Sequence, residues 1–239
     1  MRKLLFSLLL CLLFLGTLAA ENLQLAIKYL GLTVVDVTIN DDGQRISTQA
    51  TAVGLANFAA KMNNRYLSYY EADYLTSQYQ KSIQQKDYFE ERLTSYKRAD
   101  SKAFRTDFLD NENTVSYQIH PESRDFFAAL FHLRFLPDLQ NGSLWLDANR
   151  SMWKVNYQLL AKEEIKTKIG KFAALKVELS FQKISQEKKE NSDMLTNNLV
   201  DEEKTLLFWF SDDAARIPLR AEFTMKPFPV VWELLKYEK

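Results

Sequence analysis

The segment Gly170-Lys171-Phe172-Ala173-Ala174-Leu175-Lys176-Val177-Glu178-Leu179-Ser180-Phe181 decides the fold class. From residue 173 to residue 181 the odd positions are apolar, whereas Lys176, Glu178 and Ser180 between them are polar. This alternation is typical of a β-strand with one buried face and one face exposed to solvent. Burying each larger apolar side chain contributes roughly 1.5–3 kcal/mol, and a one-residue shift would expose all of them. The segment therefore predicts a strand of fixed register.

Several other segments show the same alternation. It recurs at 23–29, at 153–159 and at Ile217 to Met225, where Pro218, Arg220, Glu222 and Thr224 separate the apolar residues. The tetrad Asn40-Asp41-Asp42-Gly43 predicts a tight reversal, because Asn, Asp and Gly tolerate turn conformations. We therefore predict a mainly β protein, with a strongly curved antiparallel sheet or a partly open barrel.

Two segments change to a helical period. Leu55, Phe58, Ala59 and Met62 lie at i, i+3, i+4 and i+7, which predicts a short helix over 55–62. Arg124 to Leu136 predicts a second helix, which Ser123 can cap and Pro137 ends. This second helix is apolar over most of its circumference. We expect the two short helices to cover the concave side of the sheet.

The N-terminus has the pattern of an export signal. A basic start at Met1 to Lys3 precedes the apolar run Leu4 to Leu15, and small residues follow up to Glu21. The pattern predicts a signal peptide over 1–20, cleaved after Ala19 or Ala20, and no transmembrane segment after cleavage. We expect 21–239 to form a single β-rich periplasmic domain, or two fused lobes that meet near 121–143.

Composition limits the possible chemistry of the exported chain. Cys11, the single cysteine, leaves with the signal peptide, so the mature chain has neither a disulfide nor a thiolate metal site. Removing Arg2 and Lys3 from 31 basic residues leaves 29 against 31 acidic ones, a formal charge of −2. This balance gives no electrostatic reason to expect nucleic acid or anionic lipid as a partner.

Three motifs resemble a known family. The run from Phe208 to Glu222, with Ser211-Asp212-Asp213 inside it, resembles the strand, Ser-Asp-Asp turn, strand signature of exported bacterial proteins grouped as domain of unknown function 3108. The segment 170–178 is similar to that family's Gly-x-Phe-x-Ala-x-Lys-Val-Glu motif, and 125–134 to its helix ending in Leu-Arg. The resemblance implies a periplasmic β-rich protein of a Gram-negative bacterium, and it brings no defined catalytic residues.

The residues favour a protein that is not an enzyme. The mature chain has two histidines, His120 and His132, and neither has a partner at the spacing of a zinc site or a nucleophile–base pair. Asp212-Asp213 could serve as a carboxylate pair, but Asp is a common turn former, and we favour a solvated turn. We therefore predict no catalytic residue, no cofactor and no metal.

Export, the many aromatic residues and the apolar second helix suggest a binding role. We expect the protein to bind a lipophilic or envelope-derived ligand, or a partner protein, in cell-envelope assembly. The alternatives are a structural or interaction module with a filled core, or a carboxylate-dependent hydrolase. The charged segment 183–204 suggests a solvated connection rather than a binding element. The candidate ligand-lining residues are Phe126, Phe127, Leu130, Phe131, Trp153, Tyr157, Phe208 and Phe210.

Overall fold

The protein is built around one antiparallel sheet of fourteen strands. The computed structural model describes residues 20–186, 190, 192–224 and 228–239. The predicted signal peptide therefore lies outside the described residues except for Ala20, as does Met225. The strands are β1 (Glu21–Tyr29), β2 (Leu32–Asp41), β3 (Arg45–Ala52), β4 (Asn63–Tyr70), β5 (Thr76–Gln85), β6 (Tyr88–Lys97), β7 (Lys102–Asp107), β8 (Asn113–Gln118), β9 (Asn141–Ala148), β10 (Ser151–Thr167), β11 (Gly170–Lys183), β12 (Thr205–Ser211), β13 (Pro218–Phe223) and β14 (Val230–Glu238).

Two consecutive meanders make up this sheet. Strands β1 to β8 form one meander, β9 to β14 form the other, and the pairing of β1 with β14 joins them. The two edge strands, β8 and β9, lie close to each other. The Tyr117 hydroxyl of β8 donates a hydrogen bond to Asp147 of β9 over 2.6 Å. Arg124 also forms a parallel bridge with Leu146 of β9. The mainly β, strongly curved antiparallel architecture is thereby confirmed.

The segment 170–181 is the strand that its alternation predicts. In β11 the side chains of Leu175, Val177, Leu179 and Phe181 are buried, and Ser180 is exposed. The strand pairs with β10 on one side and β12 on the other. Together β10 and β11 form a long hairpin. Near its turn, Glu163 of β10 accepts a hydrogen bond from the Trp209 indole of β12 over 2.5 Å.

The second predicted helix fills the concave side of the sheet. Helix α2 spans Phe126–Arg134, and His132 is its one residue that is not buried. Asp125, rather than Ser123, caps it, accepting from the amides of Phe127 at 2.9 Å and Ala128 at 3.2 Å. Ser68 and Thr76 donate to the same carboxylate from β4 and β5. The cap therefore joins the helix to the sheet.

The first predicted helix forms but does not cover the sheet. Helix α1 spans Gly54–Ala60 and buries none of its residues, and the side chains of Leu55 and Phe58 are each 83% exposed. The prediction that it covers the concave side is wrong. Helix α2 already occupies that space, so of the predicted apolar stripe only Met62 turns inward, just before β4 begins.

The prediction of a solvated connection at 183–204 is wrong for residues 193–200, most of which are buried. A third helix, α3 (Met194–Leu199), buries Leu195 and Leu199. Its first turn is capped by Asp193, whose carboxylate accepts from the Thr196 amide over 2.7 Å. Residues 187–189 and 191 lie outside the described residues.

Candidate functional site

The predicted lipophilic site corresponds to a small apolar cavity beneath α2. Phe126, Leu130 and Phe208 line it, together with Val155 and Leu179. Its volume of about 20 Å³ is room for about one water molecule. Side chains therefore fill the space in which an acyl chain would lie.

The other predicted lining residues do not surround this cavity. Phe127, Phe131, Trp153 and Phe210 are buried in the core. Phe127 packs on Tyr66 with ring centroids 5.1 Å apart. Tyr157 is half-buried and lies against Gly142, where an added Cβ would come within 2.3 Å of the Tyr157 hydroxyl. The structure thus brings three of the eight predicted residues together around one cavity.

A second cavity, which we call the polar pocket, lies where the two edges of the sheet meet. It has a volume of about 40 Å³ and is lined by strands β5 to β9, the turn after β9, and one residue each of α2 and α3. Ten of its thirteen lining residues have ionisable or hydroxyl side chains. The lining residues are Tyr79, Lys81, Glu90, Arg92, Thr94, Arg105, Tyr117, Phe126, Asp147, Ala148, Asn149, Arg150 and Thr196.

Asp147 is the most strongly perturbed carboxyl group of this polar pocket. Its Oδ2 atom accepts hydrogen bonds from the hydroxyls of Tyr96 at 2.8 Å and Tyr117 at 2.6 Å. Burial raises the pKa of Asp147 from its ordinary 3.8 to about 6, although both hydrogen bonds and the nearby Arg105 act in the opposite direction. The group therefore changes charge close to neutral pH.

Lys81 and Asp193 form a buried ion pair beside the pocket. The Lys81 ammonium lies 2.8 Å from Asp193 Oδ2, and the Tyr66 hydroxyl donates to Oδ1 over 2.6 Å. Burial alone would raise the pKa of Asp193, but the charge of Lys81 and the hydrogen bonds from Lys81, Thr196 and Tyr66 lower it from 3.8 to about 2. Because Asp193 also caps α3, the pair fixes that helix to β5.

Two arginines and one carboxylate form the outer part of the site. Both terminal nitrogens of Arg105 donate to Glu190, one of them over 2.9 Å. Arg92 lies 3.5 Å from the same carboxylate and also pairs with Asp107 at 2.8 Å. Burial alone would raise the pKa of Glu190, but the hydrogen bond from Arg105 and the charges of Arg105, Arg92 and Arg150 together lower it below its ordinary value. Glu190 therefore stays ionised in contact with a guanidinium fork.

Four buried polar atoms of the pocket wall have no hydrogen-bond partner among the residues that the structure describes. They are Tyr79 Oη, Glu90 Oε1, Arg105 Nε and Asp147 Oδ1. Leaving a buried polar group unpaired costs about 1–3 kcal/mol. Two acceptors, one donor and one hydroxyl therefore line the same small cavity, and a polar molecule could satisfy them.

The turn between β9 and β10 adds backbone strain at this site. Asn149 has φ 52° and Arg150 has φ 59°, so two successive residues, neither of them glycine, adopt the left-handed conformation. Asn tolerates this conformation more readily than Arg does. The Lys81 ammonium donates to Asn149 over 3.3 Å, and the Asn149 amide donates to Asn197 over 3.1 Å. The strained turn is therefore held against both β5 and α3.

The residues that the sequence offered for catalysis lie elsewhere. His120 stacks on Trp145 with ring centroids 4.1 Å apart, and burial lowers the pKa of His132 from 6.5 to about 4. Asp213 accepts from Ser211 and from two turn amides, and Asp212 pairs with Lys162 at 2.9 Å. Both carboxylates are exposed and have the contacts of a structural turn.

Sequence reasoning missed the polar pocket. Glu90, Arg92 and Arg105 are charged residues on segments without a clear apolar–polar alternation, so no amphipathic pattern marks them. A signal was nevertheless present in Tyr88 to Thr94, where Glu90 and Arg92 fall on the same face of a segment that also contains Tyr, Phe, Leu and Thr. Inward-pointing charges on neighbouring strands indicate a polar interior, because a buried charge needs a partner.

Metal-binding clusters and membrane-spanning helices are both absent from the described part of the chain. Among these residues, no three His, Cys, Asp or Glu side chains are grouped to hold a metal ion. No helix within them is long and apolar enough to cross a bilayer.

Comparisons with solved structures support the fold. The chain superposes with a TM-score of 0.57 on a beta-barrel-like protein of domain of unknown function DUF1849 from Brucella abortus, at 8% identity and covering 92% of this chain and 96% of that one. A protein with a YmcC-like fold from Bacteroides fragilis gives a TM-score of 0.33 at 10% identity, covering 92% and 95%, which is too low to carry an argument. The first likeness shows the architecture alone.

Comparisons of sequence identify the family. No curated protein matches the chain. The model of the family described as "Protein of unknown function (DUF3108)" matches residues 24–227, which include the Gly170, Asp125 and Ser211 motifs. The chain therefore belongs to the DUF3108 family, as its motifs indicated.

Proposed function

We propose that the mature chain is a non-enzymatic periplasmic protein that binds a small envelope-derived molecule in the polar pocket, in support of cell-envelope assembly. The observation that carries this proposal is the set of unpartnered buried atoms around the pocket, above all Tyr79 Oη and Asp147 Oδ1. A ligand with hydroxyl or amine groups would pair with these atoms and recover the free energy that their burial costs.

The geometry favours the polar pocket over the lipophilic site. The apolar cavity beneath α2 holds about 20 Å³, whereas a drug-sized ligand needs roughly 300 Å³ or more. The polar pocket is also small, at about 40 Å³. Three of its lining residues, Arg92, Arg105 and Arg150, contact Glu190, and a rotation of the Glu190 side chain would free these arginines for a ligand.

Two matched variants separate the polar site from the apolar one. Ala148→Val adds two methyl groups to the wall of the polar pocket, and Ala129→Val adds the same two groups to the apolar cavity. Wild type and both variants are isolated from the periplasm and weighed by native mass spectrometry. We expect a non-covalent adduct on wild type and on Ala129→Val, and its loss from Ala148→Val.

Two results would contradict the proposal. An adduct that is lost from Ala129→Val but kept by Ala148→Val would locate the ligand in the apolar cavity. All three proteins being empty would instead support a module with a filled core. Incubating the released molecule with fresh protein tests the non-enzymatic part, since we expect its mass to stay unchanged.

A further inference from the structure

The contact between Arg105 and Glu190 has the form of a ligand contact made within the chain. Arg105 is 8% exposed, and its side-chain hydrogen bonds within the described residues all go to the Glu190 carboxylate. A guanidinium that grips both oxygens of a carboxylate is the usual arrangement for recognising carboxylate or phosphate groups. Arg105 lines the pocket, and its Nε donates no hydrogen bond within the described part of the chain.

The position of Glu190 in the chain sets it apart from the other carboxylates of the site. Glu90, Asp107 and Asp147 lie on strands of the sheet, and Asp193 caps α3. Glu190 lies in neither a strand nor a helix, and its side chain is 28% exposed where it contacts Arg105. Its backbone amide donates a long hydrogen bond, 3.4 Å, to the Asn149 carbonyl oxygen.

Charge and hydrogen bonding together define what would replace Glu190. One anionic group exchanged for another leaves the charge beside Arg92, Arg105 and Arg150 unchanged. In the same pocket wall, Glu90 Oε1 lies 3.9 Å from the Lys81 ammonium, and neither it nor Asp147 Oδ1 accepts a hydrogen bond within the described residues. Both atoms suit hydroxyl or ammonium groups on the same molecule.

We propose that Arg105, with Arg92 and Arg150, forms a binding site for the carboxylate or phosphate group of a small polar molecule, and that Glu190 occupies this site when no ligand is bound. This inference rests on the proposed function and names the chemical class of its ligand. Glu190 competes with the ligand as a tethered anion, at an effective concentration in the millimolar range or above.

The test removes the tethered competitor. Glu190→Gln keeps the size of the side chain but not its charge, and Glu203→Gln removes an exposed carboxylate from the same connection as a matched control. Inorganic phosphate and acetate are titrated into each protein at low ionic strength, and the arginine Nε–H signals are followed by ¹⁵N NMR. Low salt matters because screening weakens such contacts.

We expect Glu190→Gln to bind phosphate or acetate at least tenfold more tightly than wild type, and Glu203→Gln to match wild type. The gain must disappear in the double variant Glu190→Gln/Arg105→Gln, which leaves no unpaired charge at this contact. The probe with the larger gain tells a phosphate site from a carboxylate site. Should Glu190→Gln prove too unstable for NMR, a larger rise of its Tm with phosphate or acetate than wild type shows is the equivalent readout.

Equal affinities in wild type and Glu190→Gln, or a gain that persists without Arg105, would overturn the inference. These results leave the proposed function testable by itself. A neutral or cationic adduct that is lost from Ala148→Val would refute the anion site and still support ligand binding in the polar pocket.

Discussion

Replacing Asp147 by Asn should make the protein more stable at neutral pH. Burial raises the pKa of Asp147 from 3.8 to about 6. Between those two values the folded chain holds a proton that the unfolded chain has lost, so the free energy of unfolding falls as pH rises through this window. A shift of about two units corresponds to about 3 kcal/mol. The carbonyl of the introduced amide can still accept from the hydroxyls of Tyr96 and Tyr117.

The assay compares how stability changes with pH in the two proteins. Urea unfolding, followed by tryptophan fluorescence at pH values from 4 to 8, gives the free energy of unfolding at each pH. We expect the difference between Asp147→Asn and wild type to shift by about 3 kcal/mol in favour of the variant between pH 4 and pH 7. Comparing the variant with wild type at each pH removes any effect of the new amide group on stability that does not depend on pH.

The control is Asp87→Asn, whose carboxylate is 90% exposed. Its difference from wild type should stay constant across the same range. A constant difference for Asp147→Asn, or one that moves in favour of wild type as pH rises, would refute the reasoning that burial raises the pKa of Asp147.

Three further predictions concern the ion pairs and the core. Lys81 and three hydrogen bonds lower the pKa of Asp193 to about 2. The free energy of unfolding of wild type should therefore fall by about 2 kcal/mol between pH 4 and pH 2. That of Asp193→Asn should fall less, and an equal decrease in the two proteins would contradict this. Arg134 is fully buried, and both of its terminal nitrogens donate to the Glu21 carboxylate over 2.7 Å. Arg134→Ala should therefore lower the free energy of unfolding in urea by about 3–5 kcal/mol. A decrease under about 1 kcal/mol would mean that this ion pair does not stabilise the fold. Phe127→Ala should lower the free energy of unfolding by about 3–5 kcal/mol. Phe58→Ala, at an 83% exposed position, should change it by no more than about 0.5 kcal/mol. Similar decreases in the two variants would mean that α1 is buried.

The sheet could be predicted from sequence because period two is a local signal. Leu175 and Phe181 indicate which face of β11 is buried even when the neighbouring strands are unknown, because a register shift of one residue would expose both side chains. The apolar circumference of α2 likewise required cover on several sides, and the structure encloses it. Both predictions depend on burial of large apolar side chains, which is the strongest term in the sequence pattern.

Periodicity could not tell which way α1 faces. Leu55 and Phe58 form a stripe of helical spacing, but whether a stripe meets the core depends on what else fills that space, and α2 fills it. The polar pocket was hidden for a related reason. Lys81 and Asp193 are distant in sequence, and each alone looks like an ordinary surface charge; only the fold brings them to 2.8 Å and makes them partners.

The occupancy of the polar pocket in protein purified from its native cells tests the central claim most directly. A crystal structure of the mature chain, isolated without a denaturing step, would be examined at Tyr79 Oη and Asp147 Oδ1. The account predicts an ordered molecule other than water within hydrogen-bond distance of both atoms. Water alone in that pocket, or an ordered molecule beneath α2 instead, would contradict it.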